Sequence, residues 1–505
     1  MSDSRTKNIK RNIIFGAINK VIALLLPFVT RSIIIWKLGA EFLGLSSLFS
    51  SILHVLNMAE LGFTSAVVFS LYKPIANKDE NTICALMAFY RKTYRIIGFV
   101  ILIGGLSLTP FITNIIKGSY PDSINIYYLY LLFLTNTVIS YWAYAYKSAL
   151  LTADQREDII SKIKTTISIC SSILQISVLV IWADYYLFVI CMIVATILNN
   201  IAVAIVTNKR YPNYFCKGEI DKNLKKEIAK QVGGLAISRV SVTARNSFDS
   251  IFLSAFCGLV DVAIYSNYYA VFNGVLGCIT MLRTAFTASV GNCIATKSVE
   301  ENYEDFKKIN FYFLVLTNFC VVCLVCLYQP FMDLWMHKKL TASFTVSILF
   351  GLYFFISSAG QVRSMYQAST GLWWEFKYFS VAEAIANLVL NAYLGYKFGM
   401  YGILVATLIT VTGFSIIGMS VKIFKLYFKR SSKDYFVELI KNFIICVFVT
   451  VIVCSICEQI SIDNFLMNFI ARLALCVILA IILLLLICSC SKTYRKYFID
   501  LKKRI

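Results

Sequence analysis

Acidic residues, histidine and proline are all scarce in this chain. Aspartate and glutamate number 27 against 48 lysines and arginines, charged residues fill only 15% of the 505 positions, and there are two histidines and six prolines. Soluble domains carry roughly a quarter charged residues. A chain so depleted, 59% hydrophobic with a mean hydropathy of +0.73, is excluded from ordinary soluble folds and reads as an integral membrane protein. Soluble chemistry is missing as well. There is no GxxxxGK[ST] phosphate loop, no HExxH, no GxSxG elbow and no GxGxxG after a strand, so the chain is read as a non-enzyme without a cofactor. An ATP-driven pump would need its nucleotide site on a separate subunit. His54 and His337 lie on different apolar runs with no evident metal partner, so no metal site is expected.

What is present is a succession of apolar runs, about fourteen in all, each long enough to cross a hydrocarbon core of roughly 30 Å as a helix. They fall near 12–37, 44–71, 93–117, 124–151, 164–182, 186–207, 231–257, 262–295, 309–335, 344–370, 378–398, 400–425, 439–459 and 465–489. The expectation is an all-α integral membrane protein. The first run is too long, and too interrupted by Lys20 and Arg31, to be a cleaved signal peptide.

The net charge of +21 sits at span ends rather than along one soluble face, which argues for topology and against nucleic acid. Cations crowd the amino terminus, KPIANKDENTICALMAFYRK, NKRYPNYFCKGEIDKNLKKEIAK, the turn at 429–433 and the tail SKTYRKYFIDLKKRI. All fall on one side if the span count is even, so both termini are expected in the cytoplasm. The opposite connections are short, mostly under about a dozen residues, which argues against a membrane glycosyltransferase or ligase with an outward catalytic loop. Of sixteen cysteines, Cys320, Cys323 and Cys326 have CxxCxxC spacing, but they lie inside an apolar run, like Cys454 and Cys457. Small lipid-compatible side chains are the simpler reading there.

The chain also repeats weakly. WKLGAEFLGLSSLFSSIL and AFCGLVDVAIYSNYYAVF each place a glycine link, Gly39 or Gly258, between two spans. Six spans separate them, so the copies are parallel. This gives an N-lobe at 1–207 (spans 1–6), a basic cytoplasmic linker at 208–230, a C-lobe at 231–425 (spans 7–12), and two further spans with a basic tail at 426–505.

Charge inside spans is costly in lipid and normally faces a bundle interior or a wet cavity. Span 2 places Ser46, Ser50, Asn57, Glu60 and Thr64 at helical offsets, as one stripe. Span 1 carries Lys20 and Arg31, and span 7 Arg239, Thr243, Asn246 and Ser250, with Arg245 and Asp249 one turn apart. Arg283, then Arg363 with Gln367, then Glu383 with Asn387 follow on spans 8, 10 and 11. Together these suggest a vestibule that is cationic on balance, with Lys20, Arg31, Arg239, Arg245, Arg283 and Arg363 as anion-binding residues. Ser50, Asn57, Thr64, Asn246, Gln367 and Asn387 would be its polar lining, and Glu60, Asp249 and Glu383 candidates for coupling to H+ or Na+. The plainer alternatives are internal ion pairing for Arg245, Asp249 and Glu60, and snorkelling to the interface for Lys20, Arg31 and Arg363.

LGAEFLGLSSLFSSIL, LNMAELGFTSAVVFSLYKPIANKDE, YKSALLTADQRED at 146–158 and DSIFLSAFCGLVDVAIYSNY at 249–268 resemble the polysaccharide transporters of the multidrug/oligosaccharidyl-lipid/polysaccharide flippase superfamily. The resemblance covers about the first 300 residues by motif, and the rest by span pattern alone. It implies two MATE-like six-helix lobes plus two C-terminal helices. It also implies an O-antigen or capsule repeat-unit flippase of the bacterial cytoplasmic (inner) membrane. The implied partners are an undecaprenyl-diphosphate-linked oligosaccharide, membrane lipids, and the polysaccharide polymerase and chain-length machinery, with transport by alternating access. A cation-coupled drug or metabolite exporter and a peptidoglycan-precursor flippase share this architecture.

Overall fold

The computed structural model describes residues 2–60, 62–118, 120–336, 340–490 and 494–495, and among these it is built of helices and connecting turns without a strand. In chain order the helices are α1 (Ser2–Lys37), α2 (Ala40–Leu56), α3 (Phe63–Asn77), α4 (Glu80–Leu108), α5 (Ile126–Trp142), α6 (Ser148–Ala153), α7 (Glu157–Ile181), α8 (Tyr185–Arg210) and α9 (Lys222–Phe256). They continue as α10 (Leu259–Thr296), α11 (Val299–Met336), α12 (Phe344–Ala359), α13 (Gln361–Thr370), α14 (Trp373–Thr410), α15 (Met419–Ile423), α16 (Lys433–Glu458) and α17 (Phe465–Cys490). Two π-helical turns, Val411–Gly418 and Phe424–Phe428, flank α15.

Ten helical stretches among the described residues are long and apolar enough to cross a membrane. One of them, Trp374–Phe428, is 55 residues long and is divided at Gly399, whose φ of 55° and ψ of −133° leave the helical region. Each run read from hydropathy is largely helical among the described residues, including those on α9 and the 17-residue α5, and the all-α membrane fold holds. Short polar side chains start several helices by satisfying free amides. Asn125 Oδ1 accepts from the Tyr127 and Tyr128 amides at 3.0 and 3.2 Å, and Asp184 Oδ1 accepts from those of Tyr186 and Leu187 at 2.7 and 3.1 Å.

The chain forms two compact units, Met1–Ala263 and Ile264–Ile505. In the first, α1 packs on α7, α7 on α8, α5 on α4 and α8, and α9 on α2 and α3. Gly39 and Gly258, paired by sequence, both take a positive φ, 111° and 103°, each between two consecutive helices. A side chain would be strained at both. One end of this unit is tied by a buried carboxylate. Asp158, fully buried at the start of α7, meets Arg156 at 2.9 Å, Arg11 of α1 at 2.8 Å and Lys162 at 4.0 Å. In the second unit α11 packs on α12, α16 and α17.

Not every run is a single helix. The run 124–151 breaks after α5 ends at Trp142, where Tyr144 takes φ 61° before a 3₁₀ turn at Ala145–Lys147 and α6. The run 44–71 is not a single helix: α2 stops at Leu56, a 3₁₀ turn follows at Asn57–Glu60, and Gly62 takes φ 90° and ψ −22° before α3 begins. Gly62 tolerates that left-handed geometry because it has no Cβ, and its carbonyl accepts the Ala66 amide at 3.0 Å to open α3. Ser46 and Ser50 therefore belong to a different helix from Thr64.

Candidate functional site

The break between α2 and α3 is what presents Glu60. Its Oε1 accepts hydrogen bonds from Thr64 Oγ1, one turn on in α3, and from Tyr94 Oη of α4 at 2.7 Å. Its Oε2 accepts from Tyr141 Oη of α5 at 3.3 Å. Tyr90, one turn before Tyr94, forms a second layer, with its hydroxyl 3.0 Å from both Thr64 Oγ1 and Tyr94 Oη. The rings are locked by packing as well. Tyr90 and Tyr94 meet edge to face at 4.5 Å, Tyr141 tilts against Tyr94 at 5.4 Å, and Phe63 lies 5.5 Å from Tyr90.

No described lysine or arginine pairs with Glu60, so the expectation that it holds a neighbouring span's cation is not met among the described residues. The carboxyl group instead meets three hydroxyls, with a fourth hydroxyl behind them. Because each hydroxyl both donates and accepts, the cage can turn its protons outward when a proton or a small hard cation reaches the carboxylate. The site is a cluster of oxygen atoms with no lysine or arginine among its described partners.

The remaining sequence-selected residues of the first unit are more dispersed. Lys20 is exposed on α1, and Arg31 is half-buried within electrostatic reach of Tyr185. The Arg239 side chain lies outside the described residues, as does His337 of the other unit. On α9 Asp249 is buried, 1% exposed, while Arg245 and Asn246 are half-buried. Ser50 and Asn57 are half-buried, and the Oδ1 atoms of Asn57 and Asn246 accept no hydrogen bond from a described residue.

The second unit buries most of its predicted residues. Arg363, 4% exposed, donates from Nη1 to Gln367 Oε1 at 2.8 Å and from Nη2 to Ser415 Oγ at 3.4 Å, within the first π-helical turn. Glu383 is buried and acts electrostatically on Arg363. Asn387 donates to Thr407 and Thr410 at 3.2 and 3.3 Å and accepts from Asn391 at 3.2 Å. Arg363 is enclosed by these partners rather than reaching for an interface. Arg283 stands apart on α10, half-buried, with an Nε that has no described partner.

Sequence reading selected Glu60 and Thr64 but missed Tyr90, Tyr94 and Tyr141. The i, i+4 pair within FYRKTYR was the available signal. Among the described residues no group of three His, Cys, Asp or Glu side chains is arranged to hold a metal ion.

The succession of apolar helices and the interior polar networks define a multi-pass helical membrane protein. No protein-family model matches the chain, and no curated protein matches it in sequence. Its fold is that of the MOP-superfamily transporters. It is similar to the lipid II flippase MurJ in an inward closed conformation, with a TM-score of 0.59 and 15% identity over 93% of this chain and 98% of that one. It is also similar to a multidrug resistance MATE family transporter of the MOP superfamily in an inward-facing conformation, with a TM-score of 0.59 and 15% identity over 78% of this chain and 93% of that one. A third likeness is to a point mutant of the Vibrio cholerae MATE transporter VcmN, with a TM-score of 0.54 and 13% identity over 85% of this chain and all of that one.

Proposed function

We propose that this protein is a flippase for oligosaccharide repeat units carried on undecaprenyl diphosphate. It would move them from the cytoplasmic to the outer leaflet of the bacterial inner membrane by alternating access, for O-antigen, capsule or another surface polysaccharide. One observation carries the choice of a lipid-linked cargo: the likeness to the lipid II flippase runs over 93% of this chain, against 78% for the multidrug transporter. The excess of intramembrane cations supports it, since a diphosphate is held well by the paired donors of arginine. Arg31, Arg239, Arg245, Arg283, Arg363 and Lys20 are the proposed anion-binding residues. Both termini would be cytoplasmic, and the polymerase and chain-length machinery would be partners of the delivered product.

Glu60 is the proposed coupling residue, with the hydroxyl cage as the site where H+ or Na+ binds. A bound cation drives such a cycle only through different affinities for its two states. Asp249 and Glu383 are the secondary candidates. The test is transport of a fluorescent undecaprenyl-diphosphate oligosaccharide into vesicles under an imposed proton or sodium gradient. The gradient is expected to accelerate the wild-type protein and to leave Glu60→Gln unaccelerated. Equal acceleration of both would remove Glu60 from the coupling step. A second reading, lipid II itself as cargo, is favoured by the nature of the first neighbour; faster flipping of lipid II than of repeat units in the same assay would establish it.

A further inference from the structure

The first unit contains a second charged feature, remote in chemistry from the Glu60 cage. Arg91, Lys92 and Arg95 of α4 converge on an open cavity of about 390 Å³, completed by Ala88, Ile96, Phe99 and Cys216. None of the three cationic groups pairs with a carboxylate or donates a hydrogen bond to a described residue. Like charges one residue and one turn apart on a helix repel one another, so the cluster is poised for an anion. Arg91 is half-buried and lies within electrostatic reach of the Tyr146 hydroxyl, which places it inside the cavity rather than in free solvent.

The adjoining turns of α4 indicate which anion. Ile96, Phe99, Val100 and Ile103 come next on the outside of the helix, each more than half exposed. The surface therefore changes from triply cationic to purely apolar within about one helical turn. An aromatic wall stands at this boundary. Trp142 packs on Phe99 at 4.8 Å and donates from Nε1 to the Arg95 carbonyl at 3.2 Å. It fits there because position 98 is glycine, where a Cβ would lie 2.2 Å from Trp142 Nε1. Tryptophan at the junction of charge and hydrocarbon marks the headgroup layer of a bilayer. Cations snorkelling independently to water would need neither a cavity nor this wall.

We propose that the α4 cavity binds the phosphate-bearing headgroup of an anionic phospholipid, with Arg91, Lys92 and Arg95 on the phosphate and the acyl chains lying along Ile96, Phe99, Val100 and Ile103. These three cations are not among those proposed to hold the cargo. The three cations favour a headgroup that is net negative over one carrying its own ammonium, and the apolar strip retains the chains.

The experiment uses the purified full-length chain in detergent and reads lipid adducts by native mass spectrometry, with thermal stability in parallel. Phosphatidylglycerol, phosphatidylcholine and inorganic phosphate are added separately. Phosphatidylglycerol is expected to bind and stabilise, whereas phosphatidylcholine and free phosphate do neither. The double variant Arg91→Gln/Arg95→Gln should weaken phosphatidylglycerol binding by about 30-fold, while Lys209→Gln, an exposed cation elsewhere, binds as the wild type. Equal binding of phosphatidylcholine and phosphatidylglycerol by the wild-type protein overturns the site without recourse to any variant. Stabilisation by free phosphate alone overturns its assignment to a lipid, and unchanged phosphatidylglycerol affinity in the double variant overturns the residues.

Discussion

Removing the Tyr94 hydroxyl, in a cycle with Glu60→Gln, tests the interaction on which the Glu60 cage depends. Tyr94→Phe keeps the ring, and with it the ring contacts to Tyr90 and Tyr141, but deletes the 2.7 Å bond to Glu60 Oε1 along with the hydroxyl contacts to Thr64 and Tyr90. A hydrogen bond to a charged acceptor contributes about 1.5–3 kcal/mol and one to a neutral acceptor about 1 kcal/mol. With Glu60 ionised, Tyr94→Phe is expected to destabilise the protein by about 2 kcal/mol, and in a Glu60→Gln background by about 1 kcal/mol. The coupling of about 1 kcal/mol exceeds the few tenths by which unconnected sites depart from additivity. The assay is a double-mutant cycle on reversible unfolding in mixed micelles, followed by tryptophan fluorescence. Tyr141→Phe serves as the internal comparison and should couple more weakly, since its bond is 3.3 Å. Strictly additive effects for Tyr94 and Glu60 would refute an ionised carboxylate solvated by hydroxyls.

Three further outcomes rest on the packing. Asp158→Asn leaves Arg11 and Arg156 without their shared carboxylate and is expected to cost about 3 kcal/mol, visible as loss of the folded fraction on size-exclusion chromatography after mild heating. Gly44→Ala would push a Cβ to 2.2 Å from the Leu259 carbonyl oxygen, a backbone atom with little room to yield, and should cost about 1–3 kcal/mol in the same unfolding assay. Arg363→Met removes the donors to Gln367 Oε1 and Ser415 Oγ inside the second unit. A loss of about 2 kcal/mol is expected in the same unfolding assay.

Much of this fold is legible in the sequence because the bilayer imposes a length and a composition on every crossing. Runs such as 465–489 and 186–207 could have been little else, and they are α17 and α8. The break in span 2 is instructive. Hydropathy carried span 2 straight through Gly62, because an apolar average over many residues cannot register one left-handed backbone position. Yet Asn57, Glu60 and Gly62 together mark the break. Glu60 was identifiable as a carboxylate out of place, and Thr64 as its neighbour one turn on. Tyr94 was marked only by its i, i+4 spacing from Tyr90, and Tyr141 was not identifiable, since it arrives from α5 by tertiary packing. The pairing of Arg363 with Gln367 follows from i, i+4 spacing, whereas Ser415 reaches it from a π-helical turn that no periodicity announces.

Leaflet-specific flipping tests the central claim most directly. The purified chain would be reconstituted into vesicles carrying a fluorescent undecaprenyl-diphosphate oligosaccharide in both leaflets, and an impermeant quencher would report the fraction exchanged with time. The account predicts rapid, protein-dependent exchange that slows when Arg31 and Arg283 are both neutralised by glutamine. Exchange no faster than in protein-free vesicles would contradict the flippase, and exchange indifferent to both substitutions would contradict the cationic path.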